Sequence, residues 1–186
     1  MAFAEIVGHR SLLSLISRSV ARESVPPSLM FVGPDGVGKR QAALALAQTL
    51  NCPSPVGPSS LDSRQSDGLD IDACGRCRIC RRIARSTFPD VLTLKPSESG
   101  SIRLEPVIHA INQAVYRPFE GRRRVVIIDD ADRLVLAAQN ALLKTLEEPP
   151  ESSQFVLVTA RSDTLLATVR SRCQKLSFGQ LGGADR

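Results

Sequence analysis

Aromatic side chains are scarce in this sequence, which has no tryptophan, one tyrosine and six phenylalanines in 186 residues. The shortage argues against recognition by base stacking, which needs several rings along a strand. No apolar run approaches the roughly 20 residues that a bilayer-spanning helix requires. The start, Met1-Ala-Phe-Ala-Glu-Ile-Val-Gly-His-Arg10, lacks the basic start and long apolar stretch of a signal peptide. A cytoplasmic chain is expected, without membrane contact and with its cysteines as reduced thiols.

What is present has the composition of a folded domain. Hydrophobic residues make up 42% of the chain, and the length suits one α/β domain with a real core, or one domain with a small appendage. A net charge of +5 permits contact with nucleic acid or an acidic partner but does not locate a binding face.

The stretch Gly33-Pro34-Asp35-Gly36-Val37-Gly38-Lys39-Arg40 has the spacing of a phosphate-binding loop, complete except at the last position. Glycines let consecutive N–H groups turn toward phosphate oxygens, the following helix points its positive end at them, and Lys39 adds a mobile cation. The apolar run Ser28 to Val32 before it reads as a buried strand. The alanine-rich run Gln41 to Leu50 after it reads as a helix. A glycine turn that merely joins strand to helix is the plain alternative. Arg40 stands where serine or threonine would ligate Mg²⁺, and a guanidinium has no lone pair to offer. Facing a unit charge at close range costs about 4 kcal/mol at an effective dielectric of 20, and a divalent ion about twice that. ATP and Mg²⁺ are the ligands of this loop type. Phosphate binding is compatible with Arg40, whereas Mg²⁺-dependent hydrolysis is not favoured.

The rest of the chain alternates. Leu13, Ile16 and Val20 mark a first amphipathic helix over 10–20. Strands are expected at 90–94, 124–128, 154–159 and 174–178, with helices at 104–115, 137–148 and 164–169. Five short strands separated by helices predict an α/β fold with a parallel sheet covered on both faces. Residues 53–68, rich in proline, serine and glycine, have the composition of a flexible insertion, with nothing to suggest a packed element.

Cys74, Cys77 and Cys80 follow at intervals of three, with Cys52 upstream as a candidate fourth. A Cys-x-x-Cys turn delivers two thiolates to one ion, and four complete a closed tetrahedral zinc site with a structural role. A redox pair or unmetallated thiols are the alternatives. Arg76, Arg78, Arg81, Arg82 and Arg85 crowd the same segment, either as a solvated basic face or as a contact surface for DNA or an acidic partner. The strand at 124–128 runs into Asp129-Asp130-Ala131-Asp132. Phosphate-loop enzymes place carboxylates there, one to hold Mg²⁺ and the next to polarise the attacking water, although any strand end can carry a polar cap. Asp129 and Asp130 can fill those positions, and Asp130 is one methylene shorter than the usual glutamate.

Several motifs together carry a family resemblance: Phe3-x-x-Ile6-Val7-Gly8-His9, the loop at Gly33, the cysteine cluster, Asp129 to Asp132, Gln139-Asn-Ala-Leu-Leu-Lys-Thr-Leu-Glu-Glu-Pro-Pro150, and Ser171-Arg172-Cys173. Over nearly its whole length the chain resembles the AAA+ subunits of the bacterial sliding-clamp loader of the DNA polymerase III holoenzyme, and among them the delta-prime type. The resemblance implies a P-loop AAA+ RecA-like domain over 1–178: a five-stranded parallel sheet between helices, with a zinc-binding insertion at 52–85. Residues 179–186 would be a tail or the start of a linker to helical lid and collar domains, which makes the chain look like the first domain of a longer protein.

Such subunits form a five-membered arc that uses ATP to open a ring-shaped clamp and set it on primer–template DNA. The resemblance implies that Arg172 reaches in trans to the ATP of a neighbouring subunit, with Cys173 belonging to that motif and not to the zinc site. It puts Ile6, Val7 and Gly8 near adenine, Gly33, Gly36, Val37, Gly38, Lys39 and Arg40 at the phosphates, and Thr159 near the γ-phosphate. Arg40 and Asp130 depart from the hydrolysing subunits' pattern, which implies weak or absent ATPase activity in this chain. An ATP-hydrolysing gamma/tau-like motor subunit is the alternative, and a DNA-binding zinc module on a phosphate-loop scaffold is a third reading.

Overall fold

The computed structural model describes residues 2–57 and 68–179. Residues 58–67 of the expected flexible insertion and the expected tail from 180 lie outside them. The described residues belong to two compact units, one drawn from Met1–Val25, Pro34–Phe88 and Phe178–Arg186, the other from Pro26–Gly33 and Pro89–Ser177.

The second unit holds the whole sheet. Strands β1 (Ser28–Val32), β2 (Val91–Leu94), β3 (Arg124–Ile128), β4 (Ser153–Thr159) and β5 (Gln174–Ser177) lie in the order β2-β3-β4-β1-β5. Every neighbouring pair is parallel. The sequence pattern follows from position: β3 and β4 are buried at every residue, as central parallel strands must be, and so read as unbroken apolar runs. Helices α4 (Leu104–Val115), α5 (Leu136–Glu147) and α6 (Ala167–Arg170) belong to this unit. Val107, Ala110 and Ala114 of α4 and Ala138, Leu142 and Leu146 of α5 form one core with Met30, Val126, Ile128, Phe155 and Leu157. The helix expected at 164–169 is a 3-10 turn, Ser162–Thr164, followed by α6. This topology stands Gly33, Asp129 and Thr159 at the carboxyl ends of the neighbouring strands β1, β3 and β4, the edge where parallel α/β sheets bind ligands.

A buried ion pair fixes the start of β3. Asp90 has no accessible surface, and its carboxylate accepts the N–H groups of Phe119 (2.7 Å), Glu120 (2.8 Å) and Gly121 (2.7 Å). Arg124 Nη2 donates to it at 2.9 Å, while Nη1 donates to the Gln113 carbonyl at 2.6 Å. The loop between α4 and β3 is thus tied to the strand before it.

The first unit contains a 3-10 turn (Phe3–Glu5), α1 (Arg10–Ala21), α2 (Lys39–Asn51) and α3 (Arg78–Ala84). Helix α3 was not among the expected elements, since seven residues show less than two turns of periodicity. Helix α2 buries Ala42, Ala43, Ala45, Leu46 and Ala47, and its small side chains admit close neighbours. Two of its buried polar side chains donate inward, Gln48 to the Cys80 carbonyl at 2.6 Å and Thr49 to the Ala45 carbonyl at 2.8 Å, while Gln48 Oε1 is buried without a partner among the described residues. Asp72, fully buried, accepts the N–H groups of Phe3 and Ala4 at 2.9 Å and of Ala73 at 2.7 Å. The expectation of no packed element across 53–68 fails at Val56, which forms an antiparallel bridge with Asp72. Its two backbone bonds measure 2.8 and 2.9 Å. One bridged residue between prolines carries no strand periodicity, so composition alone hid it.

Burial alone would raise the Asp90 carboxyl. The three N–H donors and the Arg124 guanidinium outweigh it and hold the group below its ordinary value of 3.8. A depressed carboxylate contributes stability that is present above its unfolded-state pKa and lost as pH falls through its folded one. Thermal melts from pH 7 to pH 2 should show stability falling below about pH 4. Asp90→Asn should flatten that acid limb, and Asp90→Ala should cost about 3–5 kcal/mol near neutrality by stranding Arg124.

Candidate functional site

In the first unit the phosphate-type loop has the backbone its sequence demands. Gly36 and Gly38 adopt φ of 78° and 96°, where L side chains are strained. A Cβ on Gly38 would also meet Gln41 Oε1 at 3.3 Å and Ile6 Cγ2 at 3.7 Å. Gly38 caps α2, so the loop's last amides lie at the positive end of a 13-residue helix. Lys39 is 6% exposed, its Nζ donating to the Pro34 carbonyl at 2.5 Å and standing 3.8 Å from Asp35. Arg40, in the next position, is exposed.

The segment predicted to flank adenine lies beside that loop. Ile6 is buried, Gly8 is buried with φ of 76°, and Val7 is 56% exposed. His9 Nε2 donates to the Val37 carbonyl at 3.0 Å, and its ring meets Phe178 edge-on at 5.0 Å. Ile6, Gly8, Val37, Gly38 and Lys39 are therefore brought together within one unit. The role of His9 was missed, because a lone histidine in a motif gives no sign of which carbonyl it will reach.

The four predicted metal ligands also converge in this unit. The sulfurs of Cys52, Cys74, Cys77 and Cys80 all lie within 4.8 Å of one another. A tetrahedral ion with bonds of about 2.3 Å would set its sulfurs about 3.8 Å apart, so a small rearrangement suffices. Amide donors already point at the sulfurs: Cys74 N to Cys52 Sγ (3.5 Å), Cys77 N to Cys74 Sγ (3.4 Å) and Cys80 N to Cys77 Sγ (3.3 Å). Burial opposes ionisation of Cys74, but the Cys77 and Arg76 amides and the neighbouring thiols bring it down to about 7. Burial pushes Cys52 and Cys80 up, so a metal ion held by the four sulfurs would have to displace their protons. Cys52, separated from Cys74 by twenty-one residues of sequence, is a full member. Cys173 belongs to the core of the other unit, where burial raises it to about 12.

In the second unit Thr159 is buried, donates to Asp132 Oδ1 at 2.9 Å, and accepts the Arg161 amide at 3.0 Å. The Thr159 carbonyl accepts the Gly33 amide at 3.2 Å, which ties the first glycine of the loop to the end of β4. The Asp132 side chain is 7% exposed and also faces Arg161 at 3.5 Å and Arg133 at 3.9 Å. It is thus engaged internally, while Asp130 is exposed with φ of 55° and Asp129 is half-buried with its amide on the Leu94 carbonyl at 2.9 Å.

Arg172 is 29% exposed. Its Nη1 donates to the Thr168 carbonyl at 2.9 Å, and its Nη2 lies 3.6 Å from Glu147 Oε2. Nε is buried without a partner among the described residues. Glu147 comes from the Gln139–Pro150 run, and Gln139 of the same run accepts the Leu166 amide at 2.8 Å, ahead of α6, while donating to the Leu134 carbonyl at 3.2 Å. The two most specific motifs thus meet, the first holding the segment that carries the arginine. That link was missed, because residues 25 positions apart give no local sign of contact.

A parallel sheet ordered β2-β3-β4-β1-β5, with a glycine-rich phosphate-type loop after β1, defines an α/β fold of the P-loop kind. The RuvB Holliday junction branch migration motor of Thermotoga maritima superposes with a TM-score of 0.54 at 18% identity, covering 94% of this chain and 46% of that one. A DNA polymerase III gamma subunit-related protein of the same organism gives 0.62 at 22% identity, covering 93% and 47%. Residues 8–182 match the family described as "DNA polymerase III, delta subunit", and the chain belongs to it. It is 32% identical over 171 residues to the DNA polymerase III subunit tau of Escherichia coli, an alignment that takes in 92% of this chain and 24% of that protein. The chain thus spans about a quarter of that relative's length.

The protein prepared under reducing conditions should carry one thiolate-bound metal ion per chain. Metal analysis and a chelator-competition titration should show at least tenfold weaker retention in Cys52→Ser and Cys77→Ser, and none of that loss in Cys173→Ser.

Proposed function

We propose that this chain is a clamp-loader subunit of the delta-prime type. It acts in the cytoplasm within a five-membered arc whose partners are the sliding clamp and primer–template DNA. Residues 1–178 are read as one AAA+ module, and the cysteine cluster as a structural zinc site with no open coordination position.

The observation that carries the reading is Arg40. The loop keeps its positive-φ glycines, helix cap and lysine, yet a guanidinium stands in the position that would ligate Mg²⁺. Gly33, Gly36, Val37, Gly38 and Lys39 would hold phosphate oxygens, with Ile6, Val7 and Gly8 toward a base. Asp129, Asp130 and Thr159 would take the metal, water and γ-phosphate roles where those are kept. Without the hydroxyl, the chain's own hydrolysis is weak or absent. Its contribution is Arg172, presented by Glu147 and the Thr168 carbonyl, as a charge supplied in trans to a neighbour's phosphoryl transfer.

In the assembled clamp loader, Arg172→Ala should depress DNA-stimulated ATPase by two orders of magnitude or more, with the chain's melting temperature and assembly unchanged. Full activity in that assembly would rule out the trans role. The similarity to tau and gamma subunits favours a second reading, a motor subunit that hydrolyses ATP itself. The two separate on Arg40→Thr. A gain of Mg²⁺-dependent ATP binding that the parent lacks supports the first, whereas parent turnover unaltered by the substitution supports the second.

A further inference from the structure

We propose that the cysteine module is itself a sequence-independent contact for the phosphate backbone of duplex DNA, made by Arg76, Arg78, Arg81 and Arg85. Between Ala73 and Phe88 the sequence holds five arginines and no acidic residue. The fold sorts them. On α3, Cys80 and Ile83 point into the unit and are buried, while Arg78 and Arg81 are exposed, as is Arg85 at the helix end. Positions 78, 81, 82 and 85 fall at helical spacing and line one face. Arg76 is exposed on the turn between Cys74 and Cys77.

Arg82 is the one with a structural task. Its guanidinium lies 5.3 Å from the Phe88 ring centroid, and it donates to the Thr87 carbonyl at 3.4 Å. Among the described residues, Arg76, Arg78, Arg81 and Arg85 make no ion pair. Favourable charge at a helix C-terminus accounts for Arg81, but not for Arg76 or Arg78, which lie at the other end.

The chemistry of the face selects its partner. Protein interfaces are anchored by buried apolar or aromatic side chains, and none of the exposed large hydrophobic residues lies between 69 and 88. Guanidinium groups spread along a helix about 10 Å long, with Ser86 and Thr87 exposed beside them, match a chain of phosphates instead. The ion-binding cysteines would fix the turn that aims Arg76, without touching the nucleic acid. The inference holds for either subunit type proposed above, because it does not involve the nucleotide loop or Arg172.

The test uses the whole chain and a fluorescein-labelled 30-base-pair duplex of arbitrary sequence, followed by anisotropy from 50 to 200 mM salt. Three or four phosphate contacts predict a log–log slope of about −3 to −4. The variant R78Q/R81Q/R85Q should lose about 0.9 of slope per arginine and bind at least tenfold more weakly at 50 mM salt, with metal content retained. The variant R78K/R81K/R85K should keep the slope, and R22Q/R103Q should behave as the parent. No binding by the parent at 50 mM salt would overturn the proposal, and so would a glutamine variant with unchanged affinity and slope. A glutamine variant that binds DNA normally but fails to assemble with other subunits would overturn it too, assigning the face to an acidic protein.

Discussion

The carboxylate of Asp72 is the constraint from which the first unit's functional parts take their places. It gathers the amides of Phe3 and Ala4, one residue short of Ile6, Val7 and Gly8, and the amide of Ala73, immediately before Cys74. The segment expected to meet a base and the cysteine cluster are thereby hung from one side chain, with Val56 bridged to the same residue's backbone. Burying a carboxylate is costly without such donors. Burial raises its pKa even though the amides of Ala4, Phe3 and Ala73 pull the other way. Removing the carboxylate would leave three amides to find new partners and two sites without a common anchor.

The second unit repeats the device with Asp90, which takes three amides and one guanidinium at the foot of the sheet. The opposite edge, where Gly33, Asp129 and Thr159 emerge, is free to carry chemistry because the core beneath it is dense and apolar. Rigidity below and polar groups above is the usual division of labour in parallel α/β proteins. Here the polar groups are also graded. Asp132 is engaged with Thr159 and two arginines, while Asp130 is left exposed.

The architecture was largely legible in the sequence, since buried parallel strands write themselves as unbroken apolar runs; α4 reads as a helix, but Ile108 and Val115 among its apolar positions are exposed and Ala110 and Ala114 are buried in their stead. The glycine loop and the cysteine spacing were legible for the same reason: their chemistry demands local order along the chain. What escaped was long-range polar pairing. Asp72 sits in a polar stretch and reads as a surface residue, its partners lying 68 and 69 positions away. Glu147 and Gln139 read as parts of a motif without revealing that they steady the segment bearing Arg172. Val56 and α3 were hidden by shortness, since neither spans enough residues to show a period.

Arg172 has one further property, which concerns time. A guanidinium held by a single carbonyl and an exposed carboxylate at 3.6 Å is weakly restrained, since such surface pairs contribute about 0–1 kcal/mol. Exposed side chains, such as that of Glu147, change rotamer within picoseconds to nanoseconds. An acceptor that comes within reach could therefore take over the outer nitrogens of Arg172 without waiting for a loop or domain to move, while Nε stays buried. The slow event would then be whatever brings the acceptor there.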